Sequence, residues 1–131
     1  MTDVQLVSEI MSQNTNKKAN VVFSSVIPEK TYKYVMENMP ESYKKELNKA
    51  LNFLKEKGCK EVYLFGSLVT GKIHENTDID IGIKGVPDGK YLSLYADLMF
   101  NIKIPFDLLD FDCNEVFFNS LKQYNEIIKI G

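Results

Sequence analysis

Asp78 and Asp80 stand two residues apart in an otherwise apolar run, "TDIDIGIKG". Residues so spaced on a strand point to the same side, about 6.6 Å apart along the backbone. Burying two carboxylates without partners costs several kcal/mol, so such a pair favours a cationic occupant. Magnesium suits them, because it binds through a few carboxylates together with substrate phosphates. Two such ions can hold the attacking and leaving oxygens of an in-line phosphoryl displacement. Upstream, Gly66 and Ser67 end another apolar run, "EVYLFGS". Gly66 lets the backbone approach a phosphate closely, and Ser67 offers a hydroxyl and an N–H where a helix would begin. The set reads as a site for a metal-bound nucleoside triphosphate.

A third carboxylate would complete it, as a metal ligand or as the base for the attacking group. Asp107, in the apolar run "IPFDLLDF", is the first candidate and Asp110 the competitor. Being three residues apart on a strand, they face opposite sides, so only one of them reaches the site. Gly66 to Lys72 also fits the G-x-x-x-x-G-K spacing of a phosphate-binding loop, but Ile73 replaces the Ser or Thr that would hold magnesium. "IHENT" then supplies a loop where such a motif needs a helix, so that reading is set aside.

These residues need strands and helices to hold them. Pro28 suits the first turn of a helix running to about Met39. After Pro40, the residues Tyr43, Leu47, Ala50, Leu51 and Leu54 recur at helical spacing, with Lys44, Lys45 and Lys49 facing out, and Gly58 ends the helix. Residues 60–66 read as a strand. From Thr77 the alternation is strict, with Ile79, Ile81 and Ile83 on one face and Asp78, Asp80, Gly82 and Lys84 on the other. That predicts a half-buried strand. Residues 88–102 have the spacing of a helix with Leu92, Tyr95, Leu98 and Met99 inward, so Tyr91, Tyr95 and Phe100 are expected in packing rather than on a nucleobase. A strand over 103–112 follows, then a helix with a strand-like end. Upstream, 2–12 reads as a short amphipathic helix with Thr2 and Gln5 as its capping box, 13–20 as turn-rich, and 21–27 as a strand or packed loop. The expected division is an N-terminal extension over 1–40, helical in part and without a readable role, and a main domain over 41–131.

At 131 residues and 44% hydrophobic content the chain can build one real core. Its formal charge of −2 argues against nucleic-acid binding through a broadly basic surface. All 16 basic residues are Lys. Without the bidentate fork of Arg, phosphate recognition falls to Lys, backbone N–H groups or metal. Cys59 and Cys113 lack metal or redox spacing and read as ordinary thiols, and His74 as a solvated loop residue. With no signal-peptide pattern and no apolar span of membrane length, the expected location is the cytoplasm.

"LFGSLVTGKIHENTDIDIGI" followed by "PFDLLD" resembles the G-S…D-x-D…D signature of the DNA polymerase beta-like nucleotidyltransferases, in particular the minimal nucleotidyltransferases. The resemblance spans about residues 42–127. It implies an α+β fold with a mixed sheet backed by helices. It places Gly66 and Ser67 at the nucleotide phosphates and Asp78, Asp80 and Asp107 at two magnesium ions. The implied reaction moves a nucleoside monophosphate, AMP first, from a triphosphate to an acceptor, with pyrophosphate leaving. Implied partners are a HEPN-type protein, as in some toxin–antitoxin pairs, an RNA acceptor, or a second copy of the chain, with no membrane involved. The family's usual Arg after Gly-Ser and its next basic residue are replaced by Leu68 and Thr70. Lys72 and Lys84 are the candidate substitutes. The rival reading is a catalytically silent member that binds and neutralises a partner.

Overall fold

A computed structural model of the chain describes residues 28–131, with side chains from Tyr32 onward. The helix expected over 2–12, the turn at 13–20 and the segment 21–27 lie outside the described residues. The compact unit is Tyr32–Gly131. Its elements run α1 (Pro28–Asn38), α2 (Glu41–Glu56), β1 (Glu61–Phe65), α3 (Ser67–Thr70), β2 (Ile79–Lys84), α4 (Tyr91–Asn101), β3 (Phe106–Asp110), α5 (Glu115–Gln123) and β4 (Ile127–Lys129). Gly58, at φ +101°, supplies the left-handed residue that ends the α2 region two positions past Glu56.

The strands form one sheet in the order β3-β2-β1-β4. β1 is antiparallel to both β2 and β4, whereas β2 and β3 are parallel and joined through α4. The sheet is therefore mixed and backed by helices, as the sequence implied. The isoleucines of β2 explain which face is covered. Ile79, Ile81 and Ile83, with Val62, Leu64, Leu108 and Ile128, form a buried layer. Against it pack Val35 and Met39, the α2 stripe Leu47, Ala50 and Leu54, and Leu94 and Leu98 of α4.

The opposite face differs from the solvent-facing side expected for a half-buried strand. A second cluster of Phe65, Phe111, Phe118 and Leu121 covers part of it. The Phe111 ring lies against Gly82, where a Cβ would collide with it, so Gly82 is buried rather than wet. At the Asp80 end of β2 the cover is provided by Phe65, the cross-strand partner of Asp80.

Helix α4 also departs from expectation. Leu94 and Leu98 point inward, while Leu92 is 78% and Met99 63% exposed. Apolar residues occur around much of "YLSLYADLMF", so more than one stripe satisfies helical spacing, and packing against α2 and the sheet selects the one through Leu94, Leu98 and Ile102. Tyr91 and Tyr95 are half-buried in packing, as expected; Phe100 is 90% exposed and is not. No helix among the described residues is long and apolar enough to cross a membrane.

Candidate active site

The parallel register of β2 and β3 decides which third aspartate joins the pair. Asp80 lies directly opposite Asp107, and residues so paired project on the same side of the sheet. Asp110 pairs with Ile83 instead, on the other face. There its carboxylate accepts the Asp112 N–H at 3.0 Å and borders a cleft of about 260 Å³ beside Pro87 and Tyr91. Asp78 is exposed one residue before β2 begins. Asp78, Asp80 and Asp107 thus gather at one end of the sheet, close enough for the charges of both neighbours to act on Asp80.

Asp80 is the half-buried member. Burial, and then the negative charges of Asp107 and Asp78, push its carboxyl up from 3.8 to about 6. Among the described residues no cation or hydrogen-bond donor meets it. Its Oδ2 lies over the backbone of Gly66, in space a Cβ there would occupy. Gly66 also has φ +80°, which other residues rarely adopt. The glycine of the Gly-Ser turn is therefore required twice, by its own conformation and by the carboxylate above it.

After Gly66 the chain turns straight into α3. The N–H groups of Val69 and Thr70 close on the Gly66 carbonyl at 3.0 Å, which leaves those of Ser67 and Leu68 without intrahelical partners. Ser67 is half-buried at the start of that turn. Lys72 is exposed beyond its far end, and the chain continues as a loop into β2 rather than as a helix. Lys84 is not brought to the carboxylates. It shares their face but lies four residues along β2 from Asp80, about 13 Å away, with its ammonium 4.0 Å from the centre of the Phe118 ring.

Two α2 side chains that the sequence did not mark as site residues hold the loops leading into β2 and β3. Tyr43 donates its hydroxyl to the carbonyl of buried Thr77 at 2.6 Å, next to Asp78. Thr77 Oγ1 in turn accepts the His74 N–H at 2.7 Å, closing the loop on itself. Glu46 accepts the Lys103 N–H at 2.7 Å and pairs with Lys49 at 3.1 Å. The Lys103 N–H is the main cause holding Glu46 below the usual carboxylate range. Tyr43 belonged to the apolar stripe of α2, and only its hydroxyl hinted at more.

The donor set fits magnesium: oxygen ligands only, with one carboxylate half-buried and uncompensated. Among the described residues, no three His, Cys, Asp or Glu side chains close into a ready cage. Magnesium needs no such cage, since it keeps waters and takes substrate phosphates as ligands. The charges of Asp107 and Asp78 work against ionisation of Asp80, and a bound cation would relieve that.

A family model described as "Polymerase beta, Nucleotidyltransferase" matches residues 48–130, most of the chain. No curated protein and no solved structure matches significantly. The matched span takes in Gly66, Ser67 and all three gathered aspartates.

Proposed function

The chain belongs to the polymerase beta nucleotidyltransferase family, and from that premise we propose that it transfers a nucleoside monophosphate, AMP first, from a nucleoside triphosphate to an acceptor. An acceptor oxygen attacks the α-phosphorus, the bond to the bridging oxygen of the β-phosphate breaks, and pyrophosphate leaves. The observation that carries this reading is the uncompensated Asp80 carboxylate, seated over Gly66 and directly opposite Asp107.

Asp78, Asp80 and Asp107 would hold one or two magnesium ions. Magnesium held there would neutralise the triphosphate and ease loss of the acceptor's proton. Ser67 and the N–H groups of Ser67 and Leu68 would serve the phosphates as neutral donors. Asp107, the more exposed of the strand pair, is placed either to ligate metal or to take the acceptor's proton. Lys72 is the remaining candidate cation for the leaving pyrophosphate; the position of Lys84 argues against its sharing that role.

A second reading has its own support. Leu68, which stands where the family commonly has Arg, is buried in the core, and the exposed apolar side of α4 is a surface that a protein partner would cover. On this reading the chain binds a HEPN-type protein, as an antitoxin does, and turns over little. Pyrophosphate release separates the two. The protein, magnesium and ATP labelled at the α-phosphate are incubated with RNA, with a co-purifying protein, and with neither. Labelled acceptor together with pyrophosphate supports transfer; a stable complex with neither product supports the silent partner.

A further inference from the structure

We propose that Phe117 is the shelf on which the nucleobase of the substrate stacks, an inference that rests on the nucleotide-transfer reading. The placement follows from the sheet register. Phe65 lies directly opposite Asp80 on β1, on the same face. Phe117 of α5 packs edge-on against Phe65, with ring centres 5.8 Å apart and planes at 82°. Phe65 thus links the Phe117 ring to the Asp80 position through one intervening side chain, a separation on the scale of a ribose and its α-phosphate.

Adjacent residues of α5 have separate roles. Phe118 is 5% exposed and closes the aromatic core against Tyr63 and Phe111 at centroid distances of 5.2 and 5.0 Å, under the Lys84 ammonium. Phe117, at the Asp80 end of the same cover, is 44% exposed. Phe65, itself 6% exposed, packs against the Phe117 ring and leaves part of its surface open. A ring held this way loses little further freedom when a planar base stacks on it. The aromatics Tyr91 and Tyr95 are unsuited to the task, since both pack on the helix-covered side of the sheet.

The chain has no Trp, so Phe117→Trp installs a single reporter at the shelf. Its fluorescence is titrated with magnesium and ATP, and separately with magnesium and tripolyphosphate. Binding of the same two ligands to the native protein and to Phe117→Ala is followed by calorimetry. The expected result is quenching by ATP and not by tripolyphosphate. In Phe117→Ala, ATP affinity should fall by about tenfold or more, with tripolyphosphate affinity unchanged. That last readout also shows that the variant retains its fold and phosphate site. Native-like ATP affinity in Phe117→Ala, or equal loss for both ligands, would overturn the shelf while leaving the phosphate site standing. Failure of native protein to bind either ligand with magnesium would remove the nucleotide reading and this inference with it.

Discussion

Replacing Asp80 by Asn should make the metal-free protein more stable, although it removes a central residue of the site. The raised carboxyl sets the size of the effect. Moving from 3.8 to about 6 corresponds to a ceiling of about 3 kcal/mol. Asp80 is only half-buried, and solvent screening reduces this to about 1–1.5 kcal/mol. The sign follows from which form the fold disfavours. Below the unfolded pKa, native and unfolded Asp80 are both protonated and the residue costs nothing. As pH rises through about 6 the native state must hold the anion beside Asp107 and Asp78, and stability is lost. Asn never ionises and avoids that loss. In EDTA, paired melts near pH 8 should place Asp80→Asn about 5 °C above the native protein, with the gap shrinking to about 1 °C near pH 4. Magnesium should narrow the gap at pH 8 by raising only the native midpoint. A variant that melts at or below the native midpoint at pH 8, or a gap independent of pH, would refute the idea that Asp80 is held as an uncompensated anion.

Other perturbations test the remaining parts of the site. Gly66→Ala must place a Cβ against Asp80 Oδ2 at φ +80°; a loss of at least about 2 kcal/mol in chemical denaturation is expected. Asp107→Asn should reduce pyrophosphate release by about a hundredfold or more, whereas Asp110→Asn, on the other face, should leave turnover within about twofold. Tyr43→Phe removes the hydrogen bond to Thr77 and should cost about 1 kcal/mol. It should also raise the magnesium concentration that half-saturates the thermal shift, because the loop carrying Asp78 is no longer anchored.

The parts of the candidate site that lie close together in the chain were legible from it. Gly66-Ser67 and Asp78-x-Asp80 are local patterns, fixed by turn chemistry and by the two-residue period of a strand, and the isoleucines between the aspartates mark the buried face. What depended on pairing between distant segments stayed open. Asp110 stayed a competitor of Asp107 on spacing alone, and the parallel register sets Asp80 against Asp107. Lys84 shares a face with Asp80, but alternation gives no distance along the strand, and four residues carry it out of reach. The Tyr43–Thr77 and Glu46–Lys103 bonds span 34 and 57 residues, and helical periodicity carries no signal for them. The inward stripe of α4 was misplaced because its sequence is apolar on more than one side, so that tertiary packing made the choice. Phe117 and Phe118 look alike in sequence, and only packing against Tyr63, Phe65 and Phe111 distinguishes a core residue from an exposed one.

The central claim is that Asp78, Asp80 and Asp107 form a magnesium-dependent nucleotide site. Calorimetric titration of ATP into the native protein and into the double variant Asp78→Asn, Asp80→Asn, each with magnesium and with EDTA, tests it most directly. Saturable binding by the native protein in magnesium, lost on chelation and lost in the variant, is the predicted result. Binding that is indifferent to magnesium, or equally tight in the variant, would contradict the claim.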